Sequence, residues 1–312
     1  MDPLTAGEYS AVLEILKAAS VVGAASLYAL VTLQEPAKSQ VLTWKVGEKV
    51  NRAAFVIVKR GSETFESIVD LTNRRVVDWK QIPDVQPGML LSQEYNFIQM
   101  LVLGHPEWRS AIRGRGIENL RDVVCQPFTV GYFGLAEEEG RRLFKVVCYD
   151  SSGISNFWGR PLEGLTAVVD PDRREVVRII DTGRVPIPKA PVDFDQESVG
   201  RLRKAPHPIV YQQAGGPGFR LDGRTVSWQN WSFHFRVDPR LGLVISLVRY
   251  QDQGKVRSIL YQGSLSELFL SYMDPDVGWY FRTFMDAGEY GVGKLAVPLQ
   301  QGIDCPETAV FF

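Results

Sequence analysis

The sequence predicts an α+β chain: two duplicated modules, each a helix followed by an antiparallel sheet, and then a β-rich region. Three observations carry this. Helical spacing of apolar residues occurs twice, near residue 10 and near residue 97, and strand-like runs follow each time. A hairpin in the first half recurs 100 residues later. From about Gly218 the chain turns to alternating segments rich in Trp, Phe and Val.

In the first module, Thr5 with Glu8 three residues on makes a capping box, and Tyr9, Val12, Leu13 and Leu16 follow at i, i+3, i+4 and i+7. That pattern predicts a helix over residues 6 to 19. Strands are expected at 26 to 33, 41 to 46 and 53 to 59, then at 65 to 71 and 76 to 81 across a turn at 72 to 74. Pro83, Pro87 and Gly88 interrupt the pattern, so the module is bounded at 1 to 90.

The second module, 91 to 190, restarts with Phe97, Ile98, Leu101 and Val102 on one helical face, and Pro106 suits the first turn of another short helix. Strands are expected at 144 to 149 and 165 to 169. The hairpin after them is diagnostic, because Val169-Asp170, Arg174 and Val176-Val177 repeat Val69-Asp70, Arg74 and Val76-Val77. Six prolines lie between residues 185 and 217, and 191 to 217 reads as a linker lying over a surface. The third region, 218 to 312, offers alternating runs at 225 to 235 and 243 to 250, then 258 to 261. Its 95 residues are too few to close the sheet they open, and the apolar ending Ala-Val-Phe-Phe is expected to mark an incomplete domain.

Composition sets the outer bounds. The 312 residues carry 35 Lys plus Arg against 36 Asp plus Glu, with 45% hydrophobic and 23% charged residues, the profile of a soluble globular protein. A net charge of −1 gives no electrostatic reason to expect nucleic acid or an anionic membrane as partner. The longest uncharged run, residues 18 to 34, is shorter than a membrane span and contains Ser20, Gly23 and Ser26, which fits a helix end leading into a strand. Asp2 and Glu8 precede any apolar stretch, unlike a signal peptide, so the default compartment is cytoplasmic. Three cysteines are too few for a disulfide framework, and at least one must be unpaired.

Few constellations carry chemistry. His105, His207 and His234 stand far apart in the sequence without a metal-ligand spacing; the first two read as surface or loop residues and the third as a satisfied sheet histidine. Gly215, Gly216 and Gly218 lack the strand, Lys and helix of a phosphate loop. Arg141-Arg142 after Glu137 to Glu139 reads as a mixed-charge solvated face. The dense segment is 271 to 293, with Asp274, Asp276, Asp286 and Glu289 among Trp279, Tyr280, Phe281 and Phe284. A carboxylate set among aromatics is costly unless paired or used. Two readings stay open there: turns in which each Asp binds local backbone N–H groups, or a working site, of which an Asp286/Glu289 glycosidase pair is one form.

At this segment the sequence resembles the copper- and topaquinone-containing primary-amine oxidases. TFMDAGEYG (283 to 291) is similar to the stretch that carries the family's catalytic aspartate, and LSYMDPDVGWYF (270 to 281) to the tyrosine motif before it. WQNWSFHFRVDPRLGLVIS (228 to 246) and ILYQGSLSELF (259 to 269) resemble the opening strands of the catalytic β-sandwich. The modules, through EWRSAIRGRGI (107 to 117) and GLTAVVDPDRREVVRIIDTG (164 to 183), resemble the family's two small α+β domains, N2 and N3. The fold so implied is two α+β modules followed by the first strands of a large antiparallel β-sandwich.

The resemblance implies roles. Asp286 corresponds to the base that removes the α-proton from the substrate imine, and Tyr272 to the phenol that hydrogen-bonds the quinone. An aromatic cleft would raise the aspartate's pKa toward working pH. Phe284 falls at the family's aromatic gate, and Cys305 at a cysteine that pairs further along in many members. Primary amine and O2 are the implied substrates, a homodimer the implied assembly, and copper and topaquinone the implied cofactors. The Asn-Tyr-Asp/Glu quinone motif and the copper HxH are absent from this sequence. The expectation is therefore an N-terminal part that alone oxidises no amine and holds neither cofactor; the alternative is a non-catalytic remnant acting as a binding or dimerisation module.

Overall fold

The structure, a computed structural model, describes residues 1–45, 47–190, 192–207 and 214–311. Helix α1 (Ala6–Ala18) opens on the expected capping box: the Thr5 hydroxyl accepts from the Glu8 N–H at 3.2 Å, and the Glu8 carboxylate accepts from the Thr5 N–H at 2.8 Å. Its Val12, Ile15 and Leu16 pack on a four-stranded antiparallel sheet, whereas Leu13 faces outward. The strands β1 (Leu27–Gln34), β2 (Ala53–Arg60), β3 (Glu63–Asp70) and β4 (Arg75–Ile82) lie in sequence order. The strand expected at 41 to 46 is corrected: α2 (Lys38–Thr43) is a six-residue exposed helix, and Val46 lies outside the described residues. Strand β1 pairs directly with β2, Leu27 opposite Lys59 through Gln34 opposite Ala53, so the described residues between them form a connection without a strand partner.

The second module repeats this plan. Helices α3 (Leu91–Gly104) and α4 (Pro106–Arg113) bury Ile98, Val102, Trp108 and Ile112 on the sheet formed by β5 (Val123–Thr129), β6 (Phe144–Asp150), β7 (Pro161–Asp170) and β8 (Glu175–Asp181). The duplicated hairpins agree in detail. Val69 pairs with Val76 and Val169 with Val176, each next to a bulge, and Arg74 (φ 51°) and Arg174 (φ 58°) hold the same left-handed turn position. Asp70 and Asp170 each accept backbone N–H groups within the turn.

The cysteines leave one thiol unpaired, as expected, and one charge expectation fails. Cys125 and Cys148, cross-strand partners on β5 and β6, form a buried disulfide, leaving Cys305 as the free thiol. Arg141 and Arg142 are not a solvated face. Arg142 is 7% exposed and grips Glu94 with both terminal nitrogens, while Arg141 reaches Asp170 and Glu175. Their partners lie 29 to 48 residues away in sequence, which is why local charge alternation misleads.

After the short α5 (Gln196–Val199), and with Pro191 and 208–213 of the linker outside the described residues, comes a five-stranded antiparallel sheet. It contains β9 (Phe219–Asp222), β10 (Thr225–Trp228), β11 (Trp231–Asp238), β12 (Gly242–Asp252) and β13 (Lys255–Ser264). The single run expected at 225 to 235 is two strands, because Gln229 (φ 49°) and Asn230 form a two-residue turn closed by the Trp228–Trp231 pair. Side chains anchor this sheet to β1 and the segment after it: Thr32 donates to Asp238 at 2.7 Å, and Glu35 accepts from Gln262 at 2.8 Å and pairs with Arg236. Leu243, Val256 and Ile259 remain more than half exposed. No described helix is long and apolar enough to cross a membrane.

Candidate active-site ribbon

The segment singled out from sequence forms a two-stranded ribbon, β14 (Phe269–Ser271) with β15 (Thr283–Met285), running into the one-turn helix α6 (Asp286–Glu289). Leu270 lies opposite Phe284. The ladder continues one residue beyond each end, since the Tyr272 N–H donates to the Arg282 carbonyl at 3.2 Å and the Asp286 N–H to the Leu268 carbonyl at 3.1 Å. Residues directly opposite share a face, and so do residues two apart on one strand. By this alternation Tyr272 and Phe284 share a face, and Asp286 follows two residues after Phe284 as the first residue of α6. The Tyr272 and Phe284 rings meet edge-on at 6.1 Å, and Phe284 also leans on Phe128 of β5 at 5.4 Å.

The turn reading holds for two of the four acids. Asp274 accepts from the Asp276 N–H at 2.9 Å, and Asp276 from the Gly278 N–H at 2.7 Å. Asp286 differs. Its carboxylate has no hydrogen-bond donor among the described residues, because the N–H groups of Ala287 and Gly288 are taken by Glu267, at 2.7 and 3.0 Å. Glu267 is a residue that sequence reasoning missed; it lies 21 positions from Gly288, and only the hairpin brings it there.

Glu289 lies on the other side of the turn. Desolvation, with Asp286 and Glu267 as like-charged neighbours, pushes its pKa up to about 7. Oε1 receives a long bond of 3.4 Å from the Met285 N–H, and the buried Oε2 has no partner. Gly88 backs against it so closely that a Cβ there would stand 3.0 Å from the Glu289 backbone.

The ribbon's distal turn is held to the second module by a buried lysine. Phe281, fully buried, packs on Val147 and Tyr149, and the Lys145 ammonium sits 3.9 Å from the Tyr280 ring centroid and 4.9 Å from that of Phe281 while donating to the Tyr280 hydroxyl. Burial lowers the Lys145 pKa to about 8, against the opposing pull of Glu138 and Glu137.

The remaining predicted residues do not converge. Cys305 is partly buried, away from the ribbon's ring contacts. His234 bonds Asp2 at 2.8 Å, His105 caps α4 through its backbone, and His207 is exposed. Among the described residues no three His, Cys, Asp or Glu side chains group as metal donors. These residues therefore offer no fit for the family's copper, and no chemical step is derived through it.

Three family models match in succession: "Copper amine oxidase, N2 domain" over residues 1–82, "N3 domain" over 93–197 and "enzyme domain" over 220–312. The chain is 35% identical over 317 residues to the primary amine oxidase of Klebsiella aerogenes, covering 99% of this chain and 41% of that protein. It is 40% identical over 324 residues to the copper-containing amine oxidase gamma 1 of Arabidopsis thaliana, covering 100% of this chain and 45% of that protein. Among solved structures, the copper-containing benzylamine oxidase from Hansenula polymorpha superposes with a TM-score of 0.84 at 23% identity, over 97% of this chain and 50% of that one, which shows the shared fold. The chain thus spans less than half the length of these curated relatives, and it belongs to the copper amine oxidase family, corresponding to its N2 and N3 domains and the first part of its enzyme domain.

Proposed function

We propose that the whole protein containing these residues oxidises a primary amine, RCH2NH2 + H2O + O2 giving aldehyde, NH3 and H2O2, with Asp286 as the proton-abstracting base. The observation that supports this is the ribbon that brings the Tyr272 and Phe284 rings together two residues before Asp286, whose carboxylate has no hydrogen-bond donor among the described residues. A carbonyl cofactor and copper, supplied by the rest of the family's enzyme domain, would acidify the carbon beside the amine nitrogen, and the Asp286 carboxylate would accept the proton from that carbon. Tyr272 would hold that cofactor's oxygen in one orientation by donating its phenolic O–H. Phe284, braced by Phe128, is the aromatic gate, and the partner of Cys305 lies beyond these residues.

The division into domains at 1–90, 91–190, 191–217 and 218–312, the homodimer and the inactivity of the 312 residues alone belong to the same reading. For the compartment, the Cys125–Cys148 bond favours an oxidising one over the cytoplasmic default. Copper-dependent peroxide release from the purified 312-residue chain, silenced by Asp286→Ala, would overturn the inactivity; peroxide release by the whole protein that survives Asp286→Asn would overturn the role of the aspartate. A second reading, a binding or dimerisation module, is favoured by the separate closed cores of the two modules. It predicts a cooperative melt and a defined dimer in sedimentation, without amine turnover in any longer product.

A further inference from the structure

The sequence contains five pairs of adjacent basic residues: Lys59-Arg60, Arg74-Arg75, Arg141-Arg142, Arg173-Arg174 and Arg203-Lys204. Four of them are held by the fold. Lys59 is 3% exposed on β2 and pairs with Asp172, and Arg60 lies over the Phe65 ring. Arg74 and Arg75 pair with Glu14 of α1 and Asp70 of β3. Arg141 and Arg142 hold Asp170, Glu175 and Glu94. Arg173 and Arg174 sit in the second repeated hairpin, one on Asp170 and the other over the Phe97 ring. The fifth pair has no such hold. Neither Arg203 nor Lys204, nor Arg201 two residues before them, makes a hydrogen bond or ion pair among the described residues.

The backbone around this pair is equally free. Residues 194–207 form an unbroken exposed stretch, and from 202 to 207 the chain is neither helix nor strand. The Gly200 N–H closes α5 on the Gln196 carbonyl at 3.0 Å, and among the described residues no backbone hydrogen bond involves 201–207. An endoprotease takes its substrate as an extended strand, bonding the main chain and seating side chains in pockets. Cutting inside a hairpin would first require opening its ladder, whereas 201–207 can enter such a cleft with no native bond lost. Ala205, just after the pair, is small, and Pro206 stands one residue beyond the Lys204–Ala205 bond.

We propose that Arg201-Leu202-Arg203-Lys204 is a processing site for an endoprotease whose pockets carry carboxylates and read paired basic side chains. Water adds across the Lys204–Ala205 peptide bond, leaving the Lys204 carboxylate and the Ala205 ammonium; no other reactant is consumed. Both cysteines of the Cys125–Cys148 bond precede the cut, so that disulfide does not join the products. Non-covalent contacts do. Thr32 donates to Asp238, Glu35 accepts from Gln262, and the buried Phe281 packs on Val147 and Tyr149. The product is a two-chain protein with the ribbon still seated on the second module. Cleavage here is independent of amine oxidation.

The test is limited digestion of the purified chain by an endoprotease specific for paired basic residues, with intact masses, N-terminal sequencing and gel filtration of the products. The expected first cut leaves a fragment beginning at Ala205, and the two fragments separate in denaturant but co-elute without it. Arg203→Gln/Lys204→Gln should slow that cut by about a hundredfold or more, because the protease's charged pockets are left without their cations. Arg74→Gln/Arg75→Gln, which removes a pair held by the fold, should leave its rate unchanged. A first cut at any of the other four pairs, no cut at all, or an unchanged rate in Arg203→Gln/Lys204→Gln would overturn the site. Fragments that part on gel filtration without denaturant would overturn the two-chain product.

Discussion

Replacing Arg142 with Met should destabilise the second module by about 3–5 kcal/mol, the cost of breaking a buried ion pair from one side. The Arg142 and Glu94 side chains are 5% and 6% exposed. The guanidinium donates to both carboxylate oxygens of Glu94 at 2.7 and 2.6 Å, to the Pro87 carbonyl at 2.7 Å and to the Gly88 carbonyl at 2.6 Å. Methionine keeps the apolar stem and removes all four bonds. Glu94 is then left buried with the Leu90 N–H, at 2.9 Å, as its remaining donor. Hydrogen exchange of the β6 and β7 amides followed through a urea titration reads this module. Arg142→Met/Glu94→Leu should recover most of the loss, since an apolar pair of similar volume leaves no charge stranded. A loss below about 1 kcal/mol for Arg142→Met, the value of an exposed pair, would refute the reasoning.

Other outcomes follow from single residues. Folded, Glu289 keeps its proton up to about pH 7 against an ordinary 4.5, so between these values the folded state binds more protons and stability falls as pH rises. Urea titrations should find Glu289→Gln equal to wild type near pH 4 and more stable at about pH 8; equal stability at about pH 8 would contradict this. Lys145 has the opposite sign: its folded pKa of about 8 lies below the ordinary 10.5, so its contribution to stability rises with pH across that interval, and Lys145→Met should flatten the rise. Reducing Cys125–Cys148, which closes a loop of 23 residues, should cost about 3 kcal/mol, measured by denaturation with and without reductant after thiol labelling confirms opening. Phe281→Ala should cost about 3–5 kcal/mol and speed hydrogen exchange across 276–285; unchanged exchange there would mean that the ribbon is not held by this contact.

The repeated hairpins were legible because the information is local: Asp70 and Asp170 bind their own turns, and the alternating residues beside them face the sheet cores. Helix α1 was legible from its cap for the same reason. Strand β5 was not, since Pro127 interrupts its apolar run; the sheet tolerates it because β5 is an edge strand. Residues 41 to 45 misled in the opposite direction, with strand-forming residues that find no strand partner among the described residues. The disulfide required knowing that Cys125 faces Cys148 across β5 and β6, a register that no spacing encodes. Asp286 stood out in the sequence as a carboxylate among aromatics, but Glu267, arriving from β14's side of the hairpin, takes the nearby N–H groups and leaves that carboxylate without a donor among the described residues.

The proposed role of Asp286 as the base is tested most directly by one measurement. The longest natural polypeptide bearing these residues, wild type and Asp286→Asn, would be mixed without O2 with a primary amine carrying hydrogen or deuterium on the α-carbon, and aldehyde from a single turnover timed. Wild type should release aldehyde with a marked deuterium isotope effect, and Asp286→Asn should slow release about 10²–10⁴-fold while phenylhydrazine still titrates its carbonyl cofactor. Aldehyde release at the wild-type rate from Asp286→Asn would contradict the account.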